Sequence, residues 1–261
     1  MFIQILKSSF LVWAKECFAI TTEEQTKGRG TSGRDWIGKR GNTFLTFAVP
    51  QQHINIPLTL LPLQIGCILA RKVNVILSEY SMEKDEETNG KEKRVQLKWP
   101  NDVLIDKKKV AGILIESERG ENGEYYFLIG IGVNWKYSPI INQTGPQNGR
   151  EATCIFDYIE NSGDTNTKSD DGIQGARQLA FDIAEDMWTW IRSQRETTGE
   201  DAVVLGENII RQWEKSGDFG SRQTIRDTQE VVIPLSLERD GRLKVKDQYG
   251  KERLLVADYL L

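Results

Sequence analysis

The sequence predicts an α+β fold: a mixed β-sheet carrying packed helices, followed by a small all-β unit at the C-terminal end. Three observations predict it. Short apolar or alternating runs recur at 43–49, 95–99, 103–105, 110–117 and 125–133, with the length and hydrophobicity of sheet strands. Three longer segments, at 57–80, 175–195 and 201–215, repeat their apolar residues with helical period. The tail, 224–261, then changes period: its short strands are broken by Asp240-Gly241 and Tyr249-Gly250, turn pairs that suit a small barrel. The boundary is expected near 216–220, dividing the chain into a first domain, 1–217, and a second, 218–261.

The start of the chain, MFIQILKSSFLVWAKE, reaches Lys7 too early for a secretory signal and is expected to form a strand or helix of the fold. In 57–80 the residues Leu60, Leu63, Ile65, Ile68, Leu69, Val73, Ile76 and Leu77 share one broad face, which marks a core-packing helix. Two stretches with almost no apolar residues, 81–94 and 161–172, are expected as surface excursions. The Gly, Pro and Asn content of 142–150 marks a loop.

Composition excludes several kinds of function. The net charge is −4 and the pI near 5.4, so no basic footprint for nucleic acid is present. The three cysteines, Cys17, Cys67 and Cys154, lack metal-ligand spacing, and their odd number favours a reducing, cytoplasmic compartment. The lone histidine, His53, lies in the polar stretch PQQHINIP and is expected as a solvated loop residue. A zinc site or a Ser-His-Asp triad would therefore need improbable ligands. No membrane span is expected, because no run of about 18 apolar residues occurs.

Three motifs carry chemistry. In Gln25-Thr26-Lys27-Gly28-Arg29-Gly30-Thr31-Ser32-Gly33-Arg34-Asp35-Trp36, three glycines allow close backbone approach and N–H groups able to cradle an anion. Arg29 and Arg34 add cationic forks, and Trp36 offers a face to a base. The second motif runs from Lys98-Trp99-Pro100-Asn101-Asp102 to Lys109-Val110-Ala111-Gly112 and beyond, a strand, a turn near Asp106–Lys108 and a return strand. Lys109 opens the return strand, where it can be held rigidly, whereas Lys107 and Lys108 are expected as solvated turn charges. Asn101 offers donor and acceptor to a base edge, and Asp102 can orient a lysine or help hold magnesium. In the third motif, Ile129-Gly130-Ile131-Gly132-Val133-Asn134-Trp135, alternate glycines within an apolar strand signal close approach of a backbone or ligand. Alone, each motif also admits a plain structural reading: a basic surface loop, an ordinary hairpin, a tightly packed core strand.

Together and in this order, they resemble the biotin–protein ligase family, including the biotin–[acetyl-CoA-carboxylase] ligases and holocarboxylase synthetases. The likeness runs from Thr22 onward apart from the polar stretches, and the tail resembles the family's small SH3-like C-terminal domain. The resemblance implies a biotin/lipoate ligase-like fold without the family's N-terminal DNA-binding domain. It implies an enzyme that forms biotinyl-5′-AMP from biotin and ATP with Mg2+, then transfers biotin to a lysine of a biotin carboxyl carrier domain. Catalytic roles fall on Lys109, Arg29 and Asp102. Biotin contacts are implied for Gln25, Gly28, Arg29, Gly30, Thr31, Lys109 and Gly112, and ATP or adenylate contacts for Arg34, Trp36, Lys98, Asn101 and Asn134. The partner is the carrier domain of a biotin-dependent carboxylase, with no nucleic acid and no membrane; a homodimer is compatible with the family. Two departures are expected to matter. Thr31 stands where an arginine is most common, and Ser8-Ser9-Phe10 matches poorly the Ser/Thr-Asn-rich segment upstream of Gln25. A non-catalytic biotin- or adenylate-binding protein, and a lipoate–protein ligase of the same fold, are the alternatives.

Overall fold

The computed structural model describes residues 9–14, 17–81, 95–121, 123–141, 150–159, 171–197, 199–225 and 228–256. Most of the expected excursions at 81–94, 142–150 and 161–172, together with residues 1–8 and 15–16, lie outside the described residues. In chain order the strands of the first part are β1 (Ser9–Ala14), β2 (Cys17–Thr22), β3 (Gln25–Arg29), β4 (Asp35–Gly38) and β5 (Thr43–Pro50). Helix α1 (Leu61–Ser81) follows, then β6 (Val95–Lys98), β7 (Asp102–Ile105), β8 (Lys108–Arg119) and β9 (Tyr125–Val133). Helices α2 (Phe156–Ile159), α3 (Asp171–Glu196) and α4 (Glu200–Glu214) lead to β10 (Gln223–Thr224), β11 (Val231–Leu237), β12 (Leu243–Asp247) and β13 (Glu252–Leu255).

Seven strands form the main sheet in the order β1-β2-β5-β9-β8-β7-β6. Every ladder between neighbours is antiparallel; parallel contact enters through the isolated bridges Leu97↔Gly217 and Lys109↔Ala152. The apolar runs of the sequence are the central strands, buried because helices cover them. Helix α1 lays Leu61, Ile65, Ile68, Leu69, Val73 and Leu77 into the core. The segment Leu58–Glu79 is long and apolar enough in composition to cross a membrane, against the expectation from the sequence; here 56% of its most apolar stretch is buried inside the protein. Helix α3 adds Met187 and Trp188, the latter meeting the Phe47 ring edge-on at 5.8 Å. Truncating a buried aromatic such as Phe47 to alanine costs about 3–5 kcal/mol, so this layer holds the sheet firmly beneath the site.

The tail forms a four-stranded antiparallel sheet, β10-β11-β12-β13, with glycines at positive φ in both expected turns, Gly241 at 82° and Gly250 at 84°. Its buried residues Ile225, Val232, Leu243, Val245 and Leu255 are continuous with the core of the first part. The Trp99 indole N–H donates to the carbonyl of Gly241 at 3.0 Å. The tail is thus packed onto the end of the main sheet that carries β6.

His53 is buried rather than solvated, at 6% exposure, which corrects the expectation from its polar neighbours. The cause is a 3-10 turn, Gln51–His53, that directs the ring inward. There Nδ1 lies 3.4 Å from the Cys17 Sγ and Nε2 lies 3.1 Å from the Arg195 guanidinium.

Candidate active site

The site is built on three consecutive strands at one end of the main sheet. Strands β6 and β7 pair Lys98 with Asp102 across a tight connection through Trp99, Pro100 and Asn101. Strands β7 and β8 are joined by Asp106 and Lys107, both at positive φ (47° and 66°), the backbone of a two-residue hairpin whose twist matches its strands. A register shift between Val103 and Leu104 then leaves Lys109 opposite Leu104 and Gly112 opposite Asp102. Without that bulge, Lys109 and Gly112, three residues apart, would face opposite sides of the sheet. With it they share a face, and the Lys109 ammonium reaches the Asp102 carboxylate at 2.6 Å.

Electrostatics set the state of this cluster. Burial pushes the Asp102 carboxyl upward, but the charges of Lys109 and Lys98, and then of Arg34, outweigh it and hold the group below the usual carboxylate range. Lys98 is 3% exposed, and burial pulls its ammonium down to about 7, against the opposing pull of Asp102 and with help from the nearby cations Arg150, Lys109 and Arg34. Three basic groups, Lys109, Lys98 and Arg34, therefore act on one buried carboxylate. Such a cluster receives an anion at low cost, because the charges are already assembled and desolvated. Burial also raises the thiols of Cys67 and Cys154 to about 12, so neither supplies a nucleophile near neutral pH.

The first and third sequence motifs meet beside this cluster. Strands β3 and β4 form a separate two-stranded hairpin, and its Trp36 lies over strands β8 and β9. A Cβ at Gly132 would lie 2.6 Å from indole Cε2 and Cζ2, and one at Gly112 would lie 2.9 Å from Cζ3. These glycines make the floor of a slot that only a flat ring can enter so closely. The Lys109 Nζ stands 5.3 Å from the Trp36 ring centre, and the indole Nε1–H is buried without an acceptor. The close approach signalled by alternate glycines is thus made by a side chain of the protein itself.

Other expected residues are placed with varying directness. Gln25 opens β3 opposite Gly38, and its Oε1 would be 2.8 Å from a Cβ at Gly28. The Gly30 N–H donates to the Arg34 carbonyl at 2.7 Å, closing the loop, and the Arg34 guanidinium donates to the carbonyl of Thr31 at 3.2 Å and to its hydroxyl at 2.8 Å. Arg29 makes an exposed 2.6 Å pair with Glu116. Asn101 gives an amide hydrogen to the Ile113 carbonyl at 2.7 Å, and buried Asn134 gives one to Thr153 at 3.1 Å. Lys107 is exposed, as expected of a turn charge, while Lys108 pairs with Glu151 at 2.6 Å. Sequence reasoning missed Arg150 and Asp218, which lie in no motif and reach the cluster through long-range packing.

The model of the Biotin/lipoate A/B protein ligase family matches residues 3–134. The chain belongs to this family. Its sequence is 34% identical over 120 residues to Biotin--[acetyl-CoA-carboxylase] ligase of Paracoccus denitrificans, an alignment covering 46% of this chain and 45% of that protein. Over 126 residues it is 30% identical to the Bifunctional ligase/repressor BirA of Bacillus subtilis, covering 35% of that protein. The chain thus spans less than half the length of these two curated relatives. Among solved structures, biotin protein ligase from Leishmania major in complex with biotinyl-5-AMP superposes with a TM-score of 0.55 at 30% identity, covering 93% of this chain and 89% of that one. The Aquifex aeolicus biotin protein ligase structure with biotin and ATP shares the fold, with a TM-score of 0.58 at 21% identity over 93% of this chain and 87% of that one. The family read from the three motifs is therefore established, as is the α+β ligase fold with its small C-terminal sheet.

Proposed function

We propose that this chain activates biotin with ATP and transfers the biotinyl group to a lysine of a biotin carboxyl carrier domain of a carboxylase, in the cytoplasm. The observation that carries the reading is the convergence of Lys98, Asp102, Lys109 and Arg34 beside the slot of Trp36, Gly112 and Gly132. In the first step a biotin carboxylate oxygen bonds to the α-phosphorus of ATP, the bond to the leaving oxygen breaks, and pyrophosphate departs. Two anions must approach each other, and Lys109, fixed by Asp102, offsets that repulsion. A phosphate nearby would favour the charged form of Lys98. In the second step the acceptor amine bonds to the carbonyl carbon, the acyl–oxygen bond breaks, AMP leaves, and the amine proton passes to solvent.

Biotin contacts are assigned to Gln25, Gly28, Gly30, Thr31 and Gly112, and adenylate contacts to Arg34, Trp36, Lys98, Asn101 and Asn134. Arg29 would act after exchanging Glu116 for a ligand oxygen. Among the described residues no group of three or more His, Cys, Asp or Glu gathers as a metal site. Magnesium would arrive on ATP, held by its phosphates, with Asp102 the carboxylate of the cluster able to help. Residues 1–217 would form the catalytic unit and 218–261 its SH3-like companion. That none of Cys17, Cys67 and Cys154 is in a disulfide supports a reducing compartment.

The test is direct. Protein, biotin and ATP labelled at the α-phosphate should give labelled biotinyl-adenylate, and an added carrier domain should gain one biotin on lysine by mass spectrometry. Absence of adenylate, with no calorimetric binding of biotin or ATP, would overturn the reading.

A further inference from the structure

Arg150 lies outside every motif, yet it spans from the turn that opens β8 to a residue bonded to β6. One guanidinium nitrogen, Nη1, donates to the Lys107 carbonyl at 3.1 Å and stands 3.7 Å from the Asp218 carboxylate. The side chain is 17% exposed, and its Nε–H is buried without an acceptor. From Arg150 the chain runs alongside β8: the Lys109 N–H donates to the Glu151 carbonyl at 2.8 Å, and the Thr153 N–H donates to the Lys109 carbonyl at 2.9 Å. That strap is fastened at its far end to Asn134, whose carbonyl accepts from the Ile155 N–H at 3.0 Å. Asp218 in turn is anchored to β6, since its N–H donates to the Leu97 carbonyl at 2.8 Å, one residue before Lys98. Its carboxylate is 4% exposed and accepts from Ser221 at 2.9 Å and Gln223 at 3.3 Å, so it is a fixed post.

We infer that Arg150 is a positioning residue, which sets the spacing of Lys98 and Lys109 on either side of Asp102 by spanning the Lys107 carbonyl and Asp218. The inference rests on the adenylation reading for its consequence, and on the backbone contacts for its geometry. A guanidinium suits the task because its rigid plane holds the donor nitrogen in a fixed direction between the two acceptors, which an ammonium on a flexible stem does less well. The span also makes the placement of the catalytic lysine depend on the start of the C-terminal segment, through one buried acid.

The experiment compares Arg150→Met, Arg150→Lys, Asp218→Asn and the double variant Arg150→Met/Asp218→Asn with the wild-type chain. In single-turnover adenylate formation, Arg150→Met should be slowed about tenfold, as a misplaced charge would dictate. Biotin affinity by calorimetry should stay within twofold. Arg150→Lys should recover only part of the rate, and Asp218→Asn should add nothing to Arg150→Met. Rates within twofold of wild type, independent losses at the two positions, or a loss of biotin affinity equal to the loss of rate would overturn the inference. A second readout needs no catalysis: the pH profile of acetylation of Lys98, followed by mass spectrometry on the unliganded protein. Shifted profiles in Arg150→Lys and Asp218→Asn support the inference, and unchanged profiles in both overturn it. If wild type makes no adenylate, the functional reading fails and this profile still decides the role of Arg150.

Discussion

The two hairpins that supply the site, β3–β4 and β7–β8, are anchored in different ways. The β7–β8 hairpin belongs to a seven-stranded sheet, is covered by α1, and fixes Lys109 through Asp102, the bulge at Val103 and the strap at 151–153. The β3–β4 hairpin is a two-stranded sheet of its own, mostly half-buried or exposed, whose seat on the main sheet is the Trp36 indole over Gly112 and Gly132. Two strands alone are marginal in water, so the position of this hairpin depends on what its tryptophan touches. The division suits the adenylation proposed above. Charges that act on the reacting phosphate need a rigid frame, whereas a covering loop has to admit the substrate before enclosing it.

The largest expected effect tests the rigid half. Lys109→Ala should slow adenylate formation by on the order of 10²-fold or more, because it removes a positioned charge from the transition state. Lys107→Ala and Lys108→Ala should stay close to wild type, since the first is exposed and the second is in a surface pair with Glu151. Equal losses at all three would mean that the turn serves only as a basic patch.

The next effect tests the seat of the other half. Gly132→Ala should force the indole out of its slot, and about tenfold weaker adenylate binding is expected if Trp36 packs beside the ligand. Gly130→Ala is the control, because a Cβ there meets only the Leu114 carbonyl at 3.5 Å and its Cβ at 3.8 Å. Calorimetry with a non-hydrolysable adenylate analogue and both variants would settle the matter; matching results would remove the special role of the slot.

The same contrast explains what could be read from the sequence. Strands with a strong apolar pattern, the α1 face and the Lys109 hairpin were legible because their signals are local: period, turn residues and register. The partner of the alternate glycines was not, since nothing near Gly132 in the chain announces a tryptophan almost a hundred residues earlier. His53 was misjudged for the same reason: its polar neighbours do not reveal Cys17 and Arg195. Arg29 is expected as a site cation from its motif, and its pairing with Glu116 is a property of the folded surface that the motif does not announce. The tail is expected as a small barrel, and the structure joins its core to the main one through Leu243, Val245 and Leu255.

A pH measurement probes the rigid half once more. Below pH 7 the folded and unfolded chains both carry a charged Lys98, so the penalty of burying it is present in full. Between about 7 and the ordinary value of 10.5, only the unfolded chain keeps the proton. The unfolded state then binds more protons, and stability rises with pH. From pH 7 to 9 this amounts to about 2 kcal/mol for a group shifted to about 7. Urea unfolding across that window should show the rise in wild type and lose most of it in Lys98→Met. Parallel slopes would mean that the buried lysine keeps its proton.

The smallest effect expected lies in the covering loop, at Thr31. An arginine there would offer a cationic fork to the adenylate, whereas threonine offers a hydroxyl without charge. In this structure that hydroxyl accepts from the Arg34 guanidinium at 2.8 Å, so the loop closes on its own arginine. A charge-assisted hydrogen bond is worth about 1.5 kcal/mol at the low end, or roughly tenfold in affinity. Thr31→Arg should therefore slow release of biotinyl-adenylate by about that factor, with Arg34 finding the ligand or solvent in place of the hydroxyl. The off-rate, followed by trapping released intermediate in wild type and variant, gives the answer. An unchanged or faster release would show that position 31 faces Arg34 and not the ligand; the loop's grip would then rest on its glycine N–H groups and Trp36 alone.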